Sequence, residues 1–297
     1  MFKSEIFNKI TDTIIQKLKE GIIPWRKSWK TGIPINYISK LPYNGVNFLS
    51  LCSMDFSSPY YLTFLQCKHK NGYVNKGEHG QLVVFWKAED TTDEGSNKDT
   101  VGNSITKMIF RSSYVYNISQ TSLYAEADDS VKLIPAEIIL EALKEKPIIK
   151  HNFRRCYYNP LQDHISIPSN GDFDKPEEYY SSLFHELMHW TGHASRLGRD
   201  LSANDDAYAL EELIAELGSS YLCGLAGISP MVLDNQTAYI NGWLNRITDN
   251  KQILVRASIE ARKALDYLIS ESVMQELIMP SRSGVTELFH DRVYGSY

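Results

Sequence analysis

Residues 181–193 read SSLFHELMHWTGH, with two histidines four positions apart and a glutamate directly after the first. On a helix this spacing puts His185 and His189 on the same face, with their Cβ atoms about 5–6 Å apart. Two imidazoles so placed can each offer a nitrogen to one Zn²⁺ at about 2.0–2.1 Å. The stretch therefore predicts a helix that carries a metal site.

Glu186 lies one step around this helix, near the expected metal but outside its ligand set. There a carboxylate can take a proton from a water whose pKa the metal lowers, while the metal polarises a carbonyl group. This division of labour explains why H-E-x-x-H is typical of metallopeptidases, with the glutamate as general base. The alternative is a helix with two incidental histidines, since the short motif also occurs by chance.

A catalytic zinc needs a third protein ligand and an open fourth position. The metzincin pattern would supply a third histidine at position 195, but Ser195 stands there and the neighbouring His193 does not fit that geometry. A second helix, containing ALEELIAEL, carries Glu212 and Glu216 four residues apart. Two like charges so placed cost about 0.2–0.5 kcal/mol on a bare helix, and a nearby cation removes that cost.

This arrangement resembles the gluzincin metallopeptidases. The resemblance implies that Glu212 is the third ligand and that Glu216 orients one of the histidines, although gluzincins usually have aspartate at the second position. The ligand set suits Zn²⁺ best, and Mn²⁺, Fe²⁺ or Co²⁺ also accept imidazole and carboxylate. The alternative is that the glutamates on this helix are solvated surface residues.

The 297 residues suffice for one large domain or two ordinary ones, and 43% of them are hydrophobic. No apolar run is long enough to span a membrane, and the charged start of the chain lacks a signal-peptide pattern. The four cysteines form no C-x-x-C pair and fit reduced thiols. We therefore expect a cytoplasmic protein without membrane partners.

Charge is distributed unevenly along the chain. Residues 1–125 hold 15 basic and 10 acidic residues, whereas the remainder holds 16 and 26. Five of the early acids lie in one polar stretch, EDTTDEGSNKD. A basic section joined to an acidic one favours a polyanion partner for the first section only, although such asymmetry alone is weak evidence.

The later part of the chain reads as helices around a small sheet. IPAEIILEALKEK, DFDKPEEYYSSLFHELMHWTG, NDDAYALEELIAELGSSYLCGLAG, TAYINGWLNRI and VRASIEARKALDYLIS are predicted helices, and IIKHNF, CYYNP and HISIP are predicted short strands. In the second of these helices, Asp174 can cap the start, Pro176 suits the first turn and Gly192 can end it.

The earlier part begins with an amphipathic helix whose apolar face holds Ile6, Ile10, Ile14 and Leu18. QLVVFW and ITKMIFRSSYVYNI are rich in β-branched and aromatic residues and predict two strands of a hairpin. Two Asn-Gly pairs, in YNGV and NGYV, predict further tight hairpin turns. Residues 125–132, AEADDSVK, read as a linker.

The segment WRKSWK interleaves aromatic and basic residues, as single-stranded nucleic-acid binders do. Aromatic faces stack bases, and cations follow the phosphates. The candidate DNA-binding residues are Trp25, Arg26, Lys27, Trp29, Lys30, Tyr43, Asn44, Asn47 and Lys76. The alternative is that Trp25 and Trp29 belong to the core of a small domain and that the lysines are ordinary surface residues.

The sequence resembles the ArdC-type antirestriction proteins of conjugative plasmids. The resemblance lies in IPWRKSW, YNGVNFLSL, YVNKGEHGQLVVFW and SYVYNISQT, then in FHELMHWTGHASRLGR and YALEELIAELGSSYLC. These stretches occur in order over nearly the whole chain, and the first part also resembles a module of certain plasmid primases.

The resemblance implies an α+β protein of two domains. Residues 1–128 would form a small, β-hairpin-rich domain that binds single-stranded DNA without sequence preference, and residues 129–297 a zincin-like metallopeptidase domain of helices around a small antiparallel sheet. It also implies protection of incoming plasmid DNA from host restriction, with restriction enzymes or another protein as substrate. The alternative is a non-catalytic DNA-binding protein with a structural or vestigial metal site.

Overall fold

A computed structural model describes residues 3–26, 32–56, 58–91, 105–126, 133–151, 154–202, 204–229 and 236–278. The first section contains α1 (Lys3–Lys19), β1 (Ile35–Asn36), α2 (Gly45–Cys52), β2 (Tyr60–Thr63), α3 (Phe64–His69), β3 (Gln81–Thr91) and β4 (Ile105–Asn117). The second section contains α4 (Ala136–Glu141), β5 (Ile148–Lys150), β6 (Tyr157–Asn159), β7 (His164–Ser166), α5 (Pro176–Thr191), α6 (Asp205–Ala226), α7 (Gln236–Asp249), α8 (Gln252–Leu268) and α9 (Glu271–Ile278).

The first helix has the predicted amphipathic form. Ile6, Ile10, Ile14 and Leu18 are each at most 2% exposed, so the i, i+4 stripe is buried along its whole length. This stripe packs against α2, α7 and α8. The N-terminal helix therefore binds the first section to the helices of the second.

The first section also contains a four-stranded sheet in the order β1-β2-β4-β3, with α2 and α3 between its strands in the chain. The predicted hairpin is confirmed, and it is longer than expected: the β3–β4 ladder runs from Gln81 opposite Val115 to Thr91 opposite Ile105. The polar stretch assigned to its loop lies partly on these strands and partly, over residues 92–104, outside the described residues.

The two Asn-Gly pairs do not form the expected hairpin turns. Gly45, with φ of +55°, begins α2, and Asn71, with φ of +60°, follows α3. Asn and Gly tolerate this left-handed backbone at helix ends as well as in hairpins. Both helices were missed for that reason, because the local signal is the same in either setting.

The sheet of the second section is mixed, where an antiparallel sheet was expected. Its order is β5-β7-β6, with β5 parallel and β6 antiparallel to β7. The connection from β5 to β7 passes through β6, which lies on the far side of β7. One face of this sheet supports α5, which packs against β6 and β7.

Helices α5 and α6 pack closely, and a glycine permits the approach. A Cβ at position 218 would overlap the sulfur of Met188, which is fully buried.

Pro176 is at the first turn of α5 and Gly192 at its end, as predicted, but Lys175 rather than Asp174 occupies the N-cap and makes no side-chain cap. Helix α9 was not predicted.

One hydrophobic cluster joins the two sections. Ile14 of α1, Trp25 and Leu265 of α8 all belong to it, and Trp25 meets Trp243 of α7 edge-on, with ring centroids 6.4 Å apart. The division of the chain at residues 128 and 129 stays a prediction. Among the helices of the described ranges, none combines the length and apolarity needed to cross a membrane.

Candidate metal centre

Three side chains from α5 and α6 converge on one point. The Nε2 atoms of His185 and His189 are 3.1 Å apart. Glu212 brings Oε2 to 3.5 Å from Nε2 of His185 and Oε1 to 3.7 Å from Nε2 of His189. Helical spacing on α5 supplies the two imidazoles, and the close α5–α6 packing supplies the carboxylate.

This donor set fits a divalent cation. Ligand atoms about 2.0–2.1 Å from a tetrahedral zinc are separated from each other by about 3.3 Å, close to the three distances above. Two imidazoles and one carboxylate are also the ligands of many catalytic zinc sites. His185, His189 and Glu212 could therefore hold one ion together and leave a coordination position open.

Glu211, rather than Glu216, makes contact with a candidate ligand. Its Oε1 lies 3.0 Å from Nδ1 of His189, and Arg199 donates to both oxygens at 2.8 and 2.9 Å. Burial raises the pKa of Glu211, but the hydrogen bonds from Arg199 and His189 outweigh it and bring the pKa below its usual value. The ionised carboxylate accepts a hydrogen bond from Nδ1–H of His189. This contact keeps the proton on Nδ1 and leaves the Nε2 lone pair of His189 free for a metal.

The orienting role expected for Glu216 is therefore not supported by its position. Glu216 accepts hydrogen bonds from Nη2 of Arg26 at 2.9 Å and from Nε at 3.2 Å. It lies one turn beyond Glu212 on the same face of α6, where its hydrogen bonds go to Arg26 while its charge helps to raise the pKa of His185. Both side chains of the pair are largely buried, at 19% and 12% exposed.

Glu186 is buried beside the candidate ligands, 7% exposed. Burial raises its pKa above the usual carboxyl range, although the two neighbouring histidines and a hydrogen bond from the backbone of Tyr158 on β6 oppose that effect. The edge strand β6 therefore lies within hydrogen-bond reach of this carboxylate. For His185, burial lowers the pKa, but its hydrogen bond with Glu212 and the charges of nearby glutamates raise it overall.

A cleft of about 290 Å³ opens onto this centre. Its lining includes His185, Glu186 and Glu212 of the second section together with Trp25 and Arg26 of the first. The remaining lining residues are Cys156, Ser181, Ser182, Glu216, Ser219, Ser220 and Cys223. The first section therefore forms part of the wall of a cleft whose candidate ligands all belong to the second.

Trp25 does not have the position expected of a DNA-stacking residue. Its side chain is 0% exposed, and its indole N–H donates to Oη of Tyr239 at 3.2 Å. Arg26 is bound to Glu216 and lies over the ring of Tyr239, 4.9 Å from its centroid. The alternative interpretation of Trp25 as a core residue is the one that the structure supports, because a buried ring cannot stack a base.

The other candidate DNA-binding residues differ in their exposure. Asn47 is committed to the backbone of Val84, which it bonds through both amide atoms at 2.6 and 2.8 Å. Asn44 precedes α2, and Tyr43 is partly buried with its ring edge-on to Tyr61. Lys76 is exposed. The segment with Lys27, Trp29 and Lys30 lies outside the described residues.

Sequence reasoning missed Glu211 and Arg199. Glu211 is 5% exposed and lies on the same side of α6 as Ala215, Gly218 and Leu222, which are all buried. A carboxylate on the apolar face of a helix is the signal that could have found it, since such a group requires a partner. No comparable signal identified Arg199. It lies in the connection between α5 and α6, and the backbone path of that connection could not be predicted from the sequence.

The fold and the site together define a protein in which a zincin-like metallopeptidase domain follows an N-terminal module. Residues 135–260 match the zincin-like metallopeptidase family, and residues 4–116 match the N-terminal domain of the anti-restriction factor ArdC. The crystal structure of the antirestriction ArdC protein from plasmid R388 in its metal-free form has a TM-score of 0.68 and 31% identity, over 93% of this chain and 99% of that one. The chain belongs to the family of ArdC-type antirestriction proteins.

Further relatives differ in length. The Mn(II)-bound structure of the R388 protein has a TM-score of 0.70 and 29% identity, with the same coverage. The DNA primase TraC of Escherichia coli is 30% identical over 98% of this chain, which spans 30% of that primase. The uncharacterized protein y4eC of Sinorhizobium fredii is 29% identical over 89% of this chain and 92% of its own length.

Proposed function

We propose that this chain is a cytoplasmic antirestriction protein that binds single-stranded DNA and carries a metal-dependent peptidase-type site. It would protect plasmid DNA that enters a cell by conjugation. The observation that carries the proposal is the convergence of His185, His189 and Glu212, with Nε2 to Oε distances of 3.5 and 3.7 Å, beside the buried Glu186. Family membership supports the antirestriction role, and the solved R388 protein with Mn(II) supports a divalent ion.

In this proposal His185, His189 and Glu212 hold the ion, most suitably Zn²⁺. A bound ion supplies Lewis-acid activation of a water and of a substrate carbonyl. Glu186 takes a proton from the attacking water and returns it to the amine that leaves when the peptide bond breaks. Glu211 and its hydrogen bond keep His189 in the tautomer that a ligand requires.

The presence of Glu186 favours an enzyme over a purely structural metal site. A structural ion needs a closed set of ligands and no general base. In this chain the fourth ligand is absent among the described residues within reach of the three, and a buried carboxylate lies beside them instead. Host restriction enzymes are the protein substrates that an antirestriction role suggests.

The test is a comparison of wild-type protein with Glu186→Gln. We expect the variant to bind Zn²⁺ and single-stranded DNA as the wild type does, and to lose peptide hydrolysis by a factor of at least 10². Elemental analysis gives the native metal, and a plasmid-transfer assay into a restricting host gives the biological readout. Equal hydrolysis by both proteins would reject Glu186 as the base.

The same variant separates the two accounts of antirestriction. Loss of protection together with hydrolysis means that proteolysis is the mechanism. Full protection by Glu186→Gln means that DNA binding alone carries the activity, and the metal site then has another purpose.

A further inference from the structure

An exposed surface around α3 combines apolar and basic side chains. Phe64, Leu65 and Tyr73 are 54%, 64% and 66% exposed. Lys68, at the end of α3, and Lys70 and Lys76, in the segment that follows it, are also exposed. We define the α3 surface as Phe64, Leu65, Lys68, Lys70, Tyr73 and Lys76.

The backbone holds this surface in a fixed form. Thr63 caps the start of α3 through a capping box with Gln66. At the other end the N–H of Gly72 donates to the carbonyl of Cys67 at 3.0 Å, and Asn71 takes the left-handed conformation that closes the helix. The loop that follows α3 is therefore folded back against it rather than extended into solvent.

Tyr73 is held in place from a second direction. Its N–H donates to Oγ of Ser122 at 3.0 Å, and its carbonyl accepts from the N–H of Ser122 at 3.0 Å. Tyr124, 42% exposed, follows two residues after this contact. The ring of Tyr73 thus projects from an anchored backbone, and a second exposed tyrosine follows the anchor.

The three lysines of the α3 surface have no acidic partner among the residues that the structure describes. Within the described ranges, no carboxylate forms an ion pair with Lys68, Lys70 or Lys76. Glu78, the acid closest in sequence, accepts a hydrogen bond from Gln120 at 2.7 Å. Residues 64–78 therefore present three cations against one acid.

We infer that the α3 surface is the site where this protein binds single-stranded DNA. The inference rests on the proposed function, since it locates the DNA site that the function requires. Exposed rings offer faces for base stacking, and the lysines beside them neutralise phosphates. Clusters of exposed large apolar side chains are uncommon on folded proteins and often mark interaction sites. The buried ring of Trp25 cannot serve this role.

The experiment measures binding of a fluorescent 20-nucleotide dT oligonucleotide to the full chain by anisotropy, over a series of salt concentrations. Tyr73→Ala should weaken binding about 5- to 150-fold, the range for loss of one stacked base. Tyr73→Phe keeps the ring and should bind like the wild type. Phe85→Ala, which removes another exposed ring from the same section, is the matched control and should bind normally.

A triple variant, Lys68→Ala, Lys70→Ala and Lys76→Ala, tests the phosphate contacts. The slope of log affinity against log salt should fall in magnitude by about 2, since each phosphate contact on a single strand contributes about 0.7. The matched control removes three exposed lysines of the second section, Lys150, Lys175 and Lys263, and should leave the slope unchanged. Circular dichroism shows whether each variant is folded.

The outcomes separate the inference from the proposed function. No binding of the oligonucleotide by the wild type rejects DNA binding itself. Wild-type binding that Tyr73→Ala and the triple variant leave intact, with both variants folded, rejects the α3 surface. Tighter binding of duplex than of single strand, lost in the same variants, keeps the surface but rejects the single-stranded partner.

Discussion

Glu211 lies 3.0 Å from Nδ1 of His189, and through this contact a residue of α6 sets the orientation of a candidate ligand on α5. Arg199 holds the same carboxylate at 2.8 Å. Arg199, Glu211 and His189 therefore form a chain of hydrogen bonds between side chains that are 7%, 7% and 14% exposed.

The first prediction concerns this contact. Glu211→Gln should weaken Zn²⁺ binding by about 10- to 100-fold, because a neutral amide is a weaker acceptor for the Nδ1–H of His189 than the ionised carboxylate. Glu216→Gln, on the same helix, should cause a smaller loss because Glu216 contacts Arg26 instead. Competition with a chromophoric chelator measures both affinities on protein shown to be folded. A larger loss in Glu216→Gln would restore the role that the sequence assigned to it.

The second prediction concerns Trp25. Trp25→Ala should lower the free energy of unfolding by about 3–5 kcal/mol, the usual cost of emptying a fully buried aromatic site. Leu161→Ala, at a side chain that is 96% exposed, should change it by less than about 0.5 kcal/mol. Urea denaturation provides both values. Wild-type stability in Trp25→Ala, with selective loss of DNA binding, would mean that the tryptophan is a stacking residue after all.

A third prediction tests the approach of α5 and α6. Gly218→Ala should destabilise the fold by about 1–3 kcal/mol, since the new methyl group meets the buried sulfur of Met188. Met188→Ala alone leaves a cavity. In the double variant each change compensates for part of the other, so its cost should be less than the sum by about 0.5–3 kcal/mol. Strict additivity, measured by urea denaturation, would mean that the two residues do not compete for space.

The fourth prediction is a pH dependence. A hydrogen bond from Arg196 is the main cause that lowers the pKa of Asp163 to about 2, from 3.8. Because the folded pKa is the lower one, this contact stabilises the fold above about pH 4, and the contribution is lost as the pH falls toward 2. The stability difference between wild type and Asp163→Asn should therefore shrink between pH 5 and pH 2.5. A constant difference over that range would contradict the assigned pKa.

Helix periodicity was sufficient to predict the elements that carry the candidate ligands. The geometry of one helix is enough to predict that His185 and His189 lie together. To predict Glu212 as the third ligand, only a second helix packed on the first is required. The partner of Glu216 could not be predicted in this way. Arg26 is 190 residues away in sequence, and only the tertiary fold brings its guanidinium to α6.

The burial of Trp25 could not be predicted from the sequence for a related reason. An aromatic residue next to basic ones has the same local pattern in a DNA site and at the edge of a core. The deciding fact is the presence of Tyr239 and Trp243 on α7, which cover the indole. Of the α3 surface, the sequence identified only Lys76, because the exposed Phe64 and Leu65 resemble ordinary core residues in a sequence.

The ion pair of Arg26 with Glu216 also limits how family members can be recombined. A chimera that joins the first section of one relative to the second section of another takes the residues at positions 26 and 216 from different proteins. If the incoming first section lacks an arginine at this place, Glu216 is left as a buried carboxylate without its counter-charge. Successful chimeras therefore have to exchange both residues as a unit, and natural exchange of the two sections is subject to the same restriction.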